Sequence, residues 1–304
     1  MTKSPKVIRT IAELRQEISA YRRAAVDSTV GFVPTMGYLH AGHASLLQRS
    51  TAENGLTVLS IFVNPLQFGP NEDLARYPRD EQRDLALAAR NGVDIVFLPT
   101  VEEMYPQYPL LTNITVSQVT DNLCGATRPG HFDGVAVVVT KLFNIVQPDR
   151  AYFGLKDAQQ VAVITQMVHD LSIPVEIVPC PIVREEDGLA LSSRNVYLGK
   201  DEREQALALS RSLAKTDEWI AEGASAEQLH SKLAEDIRKS PLAEIDYIEI
   251  VSYPDMLRLV GIAPVKAADH VVLIALAVKF GSTRLIDNKL VNPKEAGELV
   301  CSAK

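Results

Sequence analysis

The chain has 304 residues, with 31 Lys and Arg against 38 Asp and Glu, a formal charge of −7 and 46% hydrophobic residues. This is ordinary globular usage, and at ~100–200 residues per domain the length suggests two domains; disorder, collagen-like repeats and a disulfide scaffold are excluded. The acidic balance argues against a broad nucleic-acid surface, no apolar stretch approaches the ~20 residues of a membrane helix, and the opening residues lack the apolar core of a signal peptide.

Strands and helices alternate through the first half. Residues 30–34 form a short apolar strand ending in a Pro-Thr-Met-Gly turn, and 44–54 read as a helix with Gly55 in the place of a C′ glycine. Residues 57–63 are β-branched and apolar, a buried strand. A helix is expected over 80–91, acidic at its start, with Gly92 just past its end, and a strand over 94–98 stopped by Pro99. Val135, Val138, Val139, Leu142, Phe143 and Val146 make one helical stripe, ended by Pro148. A short strand over 151–153 follows, then a helix from about Lys156 carrying Val161, Ile164, Val168 and Leu171. The strand over 175–183 contains prolines, which places them at its end or at a sheet edge. Such alternation with short connections predicts a parallel sheet covered by helices.

The pattern changes near residue 185. Charged helices are expected over 201–222 and 225–239, the second opened by a Ser225–Gln228 capping box. Strands follow over 245–252, 270–278 and 282–286, the last two a hairpin turning at residues 279–281. The predicted fold is therefore α/β: a Rossmann-like parallel-sheet domain over 1–184 and a smaller α+β domain over 185–304. Cys124, Cys180 and Cys301 lie far apart with no C-x-x-C pair, which fits packed thiols and a reducing cytoplasm better than a zinc site.

Four segments carry candidate chemistry. Pro34-Thr-Met-Gly-Tyr-Leu-His40-Ala-Gly-His43 follows a strand and opens a helix, so its amides suit a phosphate, and His40 and His43 point the same way on a first turn. Two imidazoles there can stabilise charge developing at an α-phosphate; the alternative is a polar turn with one histidine in the core. Asn64 and Gln67 follow a buried strand, at the edge where ligands of parallel sheets bind, unless they merely build a surface turn. Gly154, Lys156 and Gln160 again sit where strand leads to helix. A lysine opposing the helix dipole there suits an anionic ligand, or pairs with Asp157. Ser192, Ser193 and Arg194 lie in a loop at the domain boundary, either a phosphate grip or a solvated linker. Together these features point to a nucleotide-dependent transferase or ligase.

The same segments, with Arg76-Tyr-Pro-Arg79 and Arg128-Pro-Gly-His-Phe-Asp-Gly134, run in an order that resembles the pantothenate synthetases (pantoate–β-alanine ligases) of the HxGH nucleotidyltransferase superfamily. The resemblance implies a cytoplasmic homodimer that joins pantoate to β-alanine with Mg-ATP through a pantoyl adenylate, releasing pyrophosphate and AMP, with no nucleic-acid or membrane partner. It further implies that Met36, Gly37, Tyr38, Leu39, His40, Ala41, Gly42 and His43 form an ATP-binding turn, with His43 catalytic and His40 and Lys156 also taking part. By the same resemblance Gln67 serves pantoate and β-alanine and Gln160 serves pantoate. Gly154, Leu155, Lys156 and Asp157 contact ATP, Val183 contacts the adenosine, and Leu191, Ser192, Ser193 and Arg194 form a flexible ATP loop that the smaller domain closes over the site. No magnesium ligand is named. Cys124 departs from the pattern, standing where many relatives carry glutamate, and is expected to pack. A nucleotidyltransferase acting on a phosphate ester and a non-catalytic nucleotide-binding regulator are the alternatives.

Overall fold

The structure, a computed structural model, describes residues 4–70 and 72–293. The chain falls into two compact units. The first takes the chain up to Ser117 with Cys124–Leu155 and Val163–Val183; the second takes Gln118–Leu123, Lys156–Ala162 and the chain from Arg184 onward.

The first unit is built as β1 (Lys6–Ile8), α1 (Ile11–Ala24), β2 (Val30–Thr35), α2 (Ala41–Glu53), β3 (Leu56–Ile61), α3 (Glu81–Arg90), β4 (Ile95–Phe97), α4 (Val101–Met104), α5 (Leu123–Thr127), α6 (His131–Val146), β5 (Arg150–Gly154), α7 (Ala158–Asp170) and β6 (Glu176–Cys180). The first turn of α7 and Leu123 at the start of α5 count with the second unit. Among the described residues the six strands form one sheet in the order β1-β4-β3-β2-β5-β6, every pair parallel. From β2 the chain adds β3 and β4 on one side, then β5 and β6 on the other. The switch lies between β2 and β5, and the crevice beyond their carboxyl ends is where open α/β sheets bind ligands. Val33, Leu39, Leu47, Leu59, Ala88, Val96 and Tyr152 pack together in one core beneath α2 and α3.

The second unit contains α8 (Lys200–Ala206), α9 (Ala208–Ala221), α10 (Ala226–Ile237), β7 (Ala243–Tyr253), β8 (Val271–Phe280) and β9 (Thr283–Val291). The three strands form an antiparallel sheet in the order β7-β8-β9. Because β8 is central, Val272 to Val278 are all buried, which explains the longest apolar run of the chain. Leu209, Leu213, Leu229 and Leu233 of the helices share a core with Ile250, Ile274 and Leu276 of the sheet.

Several local expectations hold, and others shift for identifiable reasons. Asp80 caps α3 by accepting from Arg83 N at 3.1 Å, and Gly92 beyond its end has φ +74°. Ser225 and Gln228 form the expected capping box of α10. β6 is an edge strand, where Pro179 needs no partner on its open side. Gly55 follows the end of α2 as expected, but for another reason: a Cβ there would lie 1.9 Å from Ser28 Oγ and 2.4 Å from Tyr21 Oη, so close packing excludes a side chain. The single helix expected over 201–222 is broken at Leu207 into α8 and α9. The hairpin turn lies after Phe280, not at 279–281: Lys279 and Phe280 still pair with Arg284 and Thr283, and Gly281 supplies a φ of +58°. Cys124 and Cys180 are buried, as packing thiols should be, and Cys301 lies outside the described residues.

Candidate functional site

In the first unit the turn from Met36 to His43 joins the carboxyl end of β2 to the start of α2. Gly37 has φ +86°, and a Cβ there would come within 2.9 Å of Ile61 Cγ2, so this position demands glycine. Thr35 Oγ1 accepts from Gly37 N at 3.2 Å and donates to Ser60 O at 2.8 Å. The next two amides, of Tyr38 and Leu39, donate to the two carboxylate oxygens of Asp84 on α3, at 2.7 and 2.6 Å. Burial pushes the Asp84 carboxyl up from its ordinary value, while these two amides pull against that. Arg83 lies over the Tyr38 ring, 4.5 Å from its centre, and holds the same turn from outside.

His40 and His43 cap the helix reciprocally. His40 Nδ1 accepts from Gly42 N at 3.1 Å, and His43 Nδ1 accepts from His40 N at 3.2 Å. A backbone N–H only donates, so each Nδ1 carries no proton and each neutral ring holds its hydrogen on Nε2. The rings lie 4.1 Å apart, tilted by 38°. Two Nε2–H donors thus stand at the start of α2, an arrangement suited to phosphate oxygens.

Gln67 ends a short 3-10 turn, Pro65–Gln67, that leaves β3. It is not on a surface turn: Asn64 is 1% exposed and Gln67 9%. Asn64 Nδ2 donates to Gln67 Oε1 at 3.2 Å and to Gly134 O at 3.0 Å, and Tyr105 Oη donates to Asn64 Oδ1 at 2.8 Å. Gln67 Nε2 lies 3.1 Å from Met36 Sδ, which brings two of the sequence candidates together. The Gln67 carbonyl accepts from His131 Nδ1 at 2.8 Å and from Arg128 Nη2 at 3.3 Å. Glu72 holds Arg128 at 2.6 and 2.7 Å, and that guanidinium keeps the Glu72 carboxyl below its ordinary value. Gly134 is required because α6 runs so close to this turn that a Cβ would sit 2.3 Å from Leu66 O.

Gly154 and Leu155 leave β5 at the same edge of the sheet as the turn after β2, on the other side of the switch. A Cβ on Gly154 would meet nothing within 4 Å, so packing inside the protein does not require glycine there. Val183 follows β6, which pairs with β5 through Gly154 and Cys180.

The second unit holds the other candidates. Lys156 lies in a 3-10 turn, Leu155–Asp157, ahead of α7, so the helix expected from about Lys156 begins at Ala158. Its Nζ stands 3.3 Å from Asp157 Oδ1, and its carbonyl accepts from Asn288 Nδ2 at 2.9 Å. Beside Gln160, Gln159 is structural: its Nε2 donates to Val119 O and Asn122 O at 2.9 and 2.8 Å.

The loop bearing Leu191, Ser192, Ser193 and Arg194 is not a plain linker. Arg184 bridges to Ala190 as a short antiparallel pair, turned at Gly188 with φ +97°. Arg184 is bidentate to Asp287 of β9 at 2.7 and 2.9 Å, and Asp287 is 1% exposed. Ser192 caps the 3-10 turn Ser193–Tyr197 by accepting from Arg194 N at 3.3 Å.

Sequence reasoning missed Asp84, Tyr105, Asp287 and Asn288 as supports, and assigned Asn64, Arg128 and His131 no role. Asp84 left one local trace: it shares the buried face of α3 with Ala88, an acid at a core position.

The chain matches the family profile described as pantoate-beta-alanine ligase over residues 6–290. It is 53% identical over 293 residues to a pantothenate synthetase of Geobacillus kaustophilus, covering 96% of this chain and 95% of that protein. It is 54% identical over 286 residues to one of Caldicellulosiruptor saccharolyticus, covering 94% and 99%. The crystal structure of pantothenate synthetase from Thermus thermophilus superposes with a TM-score of 0.83 at 48% identity, covering 93% of this chain and 98% of that one. The pantoate-beta-alanine ligase of Francisella tularensis, complexed with beta-gamma ATP and beta-alanine, gives a TM-score of 0.75 at 35% identity, covering 95% and 99%. With its sheet, its histidine-capped helix and these matches in agreement, the chain belongs to the pantoate–β-alanine ligase family.

Proposed function

We propose that the chain condenses pantoate with β-alanine in two steps at the expense of Mg-ATP. A pantoate carboxylate oxygen attacks the α-phosphorus, the bond to the bridging oxygen breaks, and pyrophosphate leaves. The β-alanine nitrogen then attacks the pantoyl carbonyl carbon, loses a proton, and AMP departs with the acyl oxygen. A free carboxylate is a poor acyl donor; adenylation supplies the leaving group.

The observation that carries this reading is the reciprocal cap of His40 and His43, which holds both Nε2–H donors at a helix start beyond the carboxyl end of β2. Donors preset for charge that develops at the α-phosphate accelerate its transfer. In this reading Met36 to His43 hold ATP, with Gly154, Leu155, Lys156, Asp157, Val183 and Leu191 to Arg194; Lys156 supplies a point charge, and Gln67 and Gln160 bind pantoate, Gln67 also serving β-alanine. Among the described residues no group of three or more His, Cys, Asp or Glu side chains is placed to hold a metal, and magnesium is taken as part of the substrate, ligated by triphosphate oxygens. No helix is long and apolar enough to cross a membrane, among the residues described. A cytoplasmic homodimer is proposed on family membership alone.

Pantoate-dependent exchange between ATP and pyrophosphate tests the reading. Exchange is expected without β-alanine, and AMP only when both acids are present. His43→Ala is expected to lower exchange by at least ~10²-fold with the fold retained. A folded protein that shows no exchange refutes the reading, and undiminished exchange in the variant refutes the role of His43.

A further inference from the structure

The buried amides around Gln67 have only one consistent orientation, and two backbone groups determine it. The carbonyl of Gly134 can only accept, so the atom of Asn64 that faces it at 3.0 Å is the nitrogen. The amide of Leu66 can only donate, so the Asn64 atom that faces it at 3.3 Å is the oxygen. Neither partner depends on how the side-chain amide is assigned. With Oδ1 settled, the Tyr105 hydroxyl 2.8 Å away must be a donor, and with Nδ2 settled, the Gln67 atom 3.2 Å away must be Oε1. Gln67 therefore turns its nitrogen outward, and there it meets Met36 Sδ, a sulfur that can only accept.

Tyr105 is well placed for this. It is 4% exposed, its ring packs edge-on against Phe62 at 5.8 Å, and Lys141 Nζ lies 5.6 Å from its face. Burial pushes its phenol up from its ordinary value, so the hydroxyl keeps its proton and stays a donor.

We infer that Tyr105 is a positioning residue that, through Asn64, orients the Gln67 amide so that Nε2–H is offered to an oxygen of the pantoate substrate. The inference rests on the proposed binding of pantoate by Gln67 and adds what holds that amide in place, in the polarity that Gly134 and Leu66 set. Without the Tyr105 hydrogen the polarity of the amides is unchanged, but Asn64 Oδ1 keeps only the longer contact to Leu66 N. Asn64 is then held less firmly, and the Gln67 amide that leans on it is less well placed for the substrate.

The test is a double-mutant cycle on pantoate-dependent pyrophosphate exchange, with KM for pantoate and for ATP measured separately and thermal unfolding as a check on folding. Tyr105→Phe keeps the ring and its packing; it is expected to raise KM for pantoate by about tenfold, as loss of one buried hydrogen bond does, and to leave KM for ATP within about twofold. In a Gln67→Met background there is no amide to orient, so adding Tyr105→Phe is expected to change KM for pantoate by less than about twofold. An unchanged KM for pantoate in the single variant overturns the inference. So does a full tenfold penalty in the Gln67→Met background, which would make Tyr105 a packing residue only. Absence of exchange in the wild-type enzyme is a different result: it removes the proposed reaction itself, and this inference with it.

Discussion

The two units secure their candidate ligand groups by opposite means. In the first, the turn from Met36 to His43 and the amide of Gln67 are held mainly by neutral hydrogen bonds to backbone and buried amides, with the one carboxylate of Asp84 satisfied by two backbone N–H groups. In the second, the loop after Arg184 is held by ions. Arg184 grips Asp287, and Arg203 reaches both Glu185 and Asp187 at 2.7 Å, while Asn195 Nδ2 donates to Glu185 at 2.8 Å. Among the described residues Arg203 Nη1 and Asn195 Oδ1 are buried without a hydrogen-bond partner, both in this ionic lattice.

The difference has a physical meaning. Neutral, buried, directional bonds fix orientation and respond little to salt or pH. Ion pairs whose side chains are a quarter to two-fifths exposed, such as Arg203 with Glu185 and Asp187, are screened and individually weak. The first arrangement suits groups that must keep one geometry through a reaction. The second suits a loop whose hold must be adjustable when an anionic ligand competes for its guanidinium groups.

The largest expected effect breaks the ionic side. Asp287→Asn leaves the Arg184 guanidinium without its buried counter-charge, and about 3 kcal/mol of stability is expected to be lost, as when one partner of a buried pair is removed. Urea unfolding at constant salt measures it; a loss below ~0.5 kcal/mol would show that the pair does not anchor the loop. Asp84→Asn probes the neutral side. It sets an N–H2 group against a backbone N–H, and about 1–2 kcal/mol is expected, together with a raised KM for ATP and a loss equal in low and high salt. A strong salt dependence of that loss would erase the contrast between the units.

The smallest effect concerns an ionic prop beside the Gln67 turn of the first unit, Glu72 on Arg128. The folded-state pKa of Glu72 is lowered, so its pairing contributes stability above the ordinary value of 4.5 and loses it as pH falls through the folded pKa. The difference in stability between wild type and Glu72→Gln is expected to be at most ~1 kcal/mol near neutrality and to vanish in acid. Unfolding curves taken down the pH scale check it, and a difference that grows toward acid would contradict the sign.

Much of the architecture was legible locally. The prolines in the segment of β6 announced a strand end or an edge, Ser225 and Gln228 announced a helix start, and the apolar run that became β8 announced a strand. β1 and α1 were not read from the sequence, and nothing in the charged stretch from Asp201 revealed the break at Leu207. The chemistry-bearing side chains were legible where they clustered in sequence, as in the turn holding His40 and His43. Their supports were not: Asp84 meets Leu39 across 45 positions, Tyr105 meets Asn64 across 41, and Arg184 meets Asp287 across 103.

By itself the sequence determined the alternation of strands and helices, the histidine-bearing helix start and the family, because periodicity, capping and turn chemistry act over a few neighbouring residues. Only the tertiary structure decided which nitrogen of each histidine carries the proton, which way the Gln67 amide faces, and that an acid on α3 and a phenol beyond α4 hold these groups in place. Donor and acceptor roles in a buried network depend on partners brought together by folding, and spacing along the chain carries no record of them.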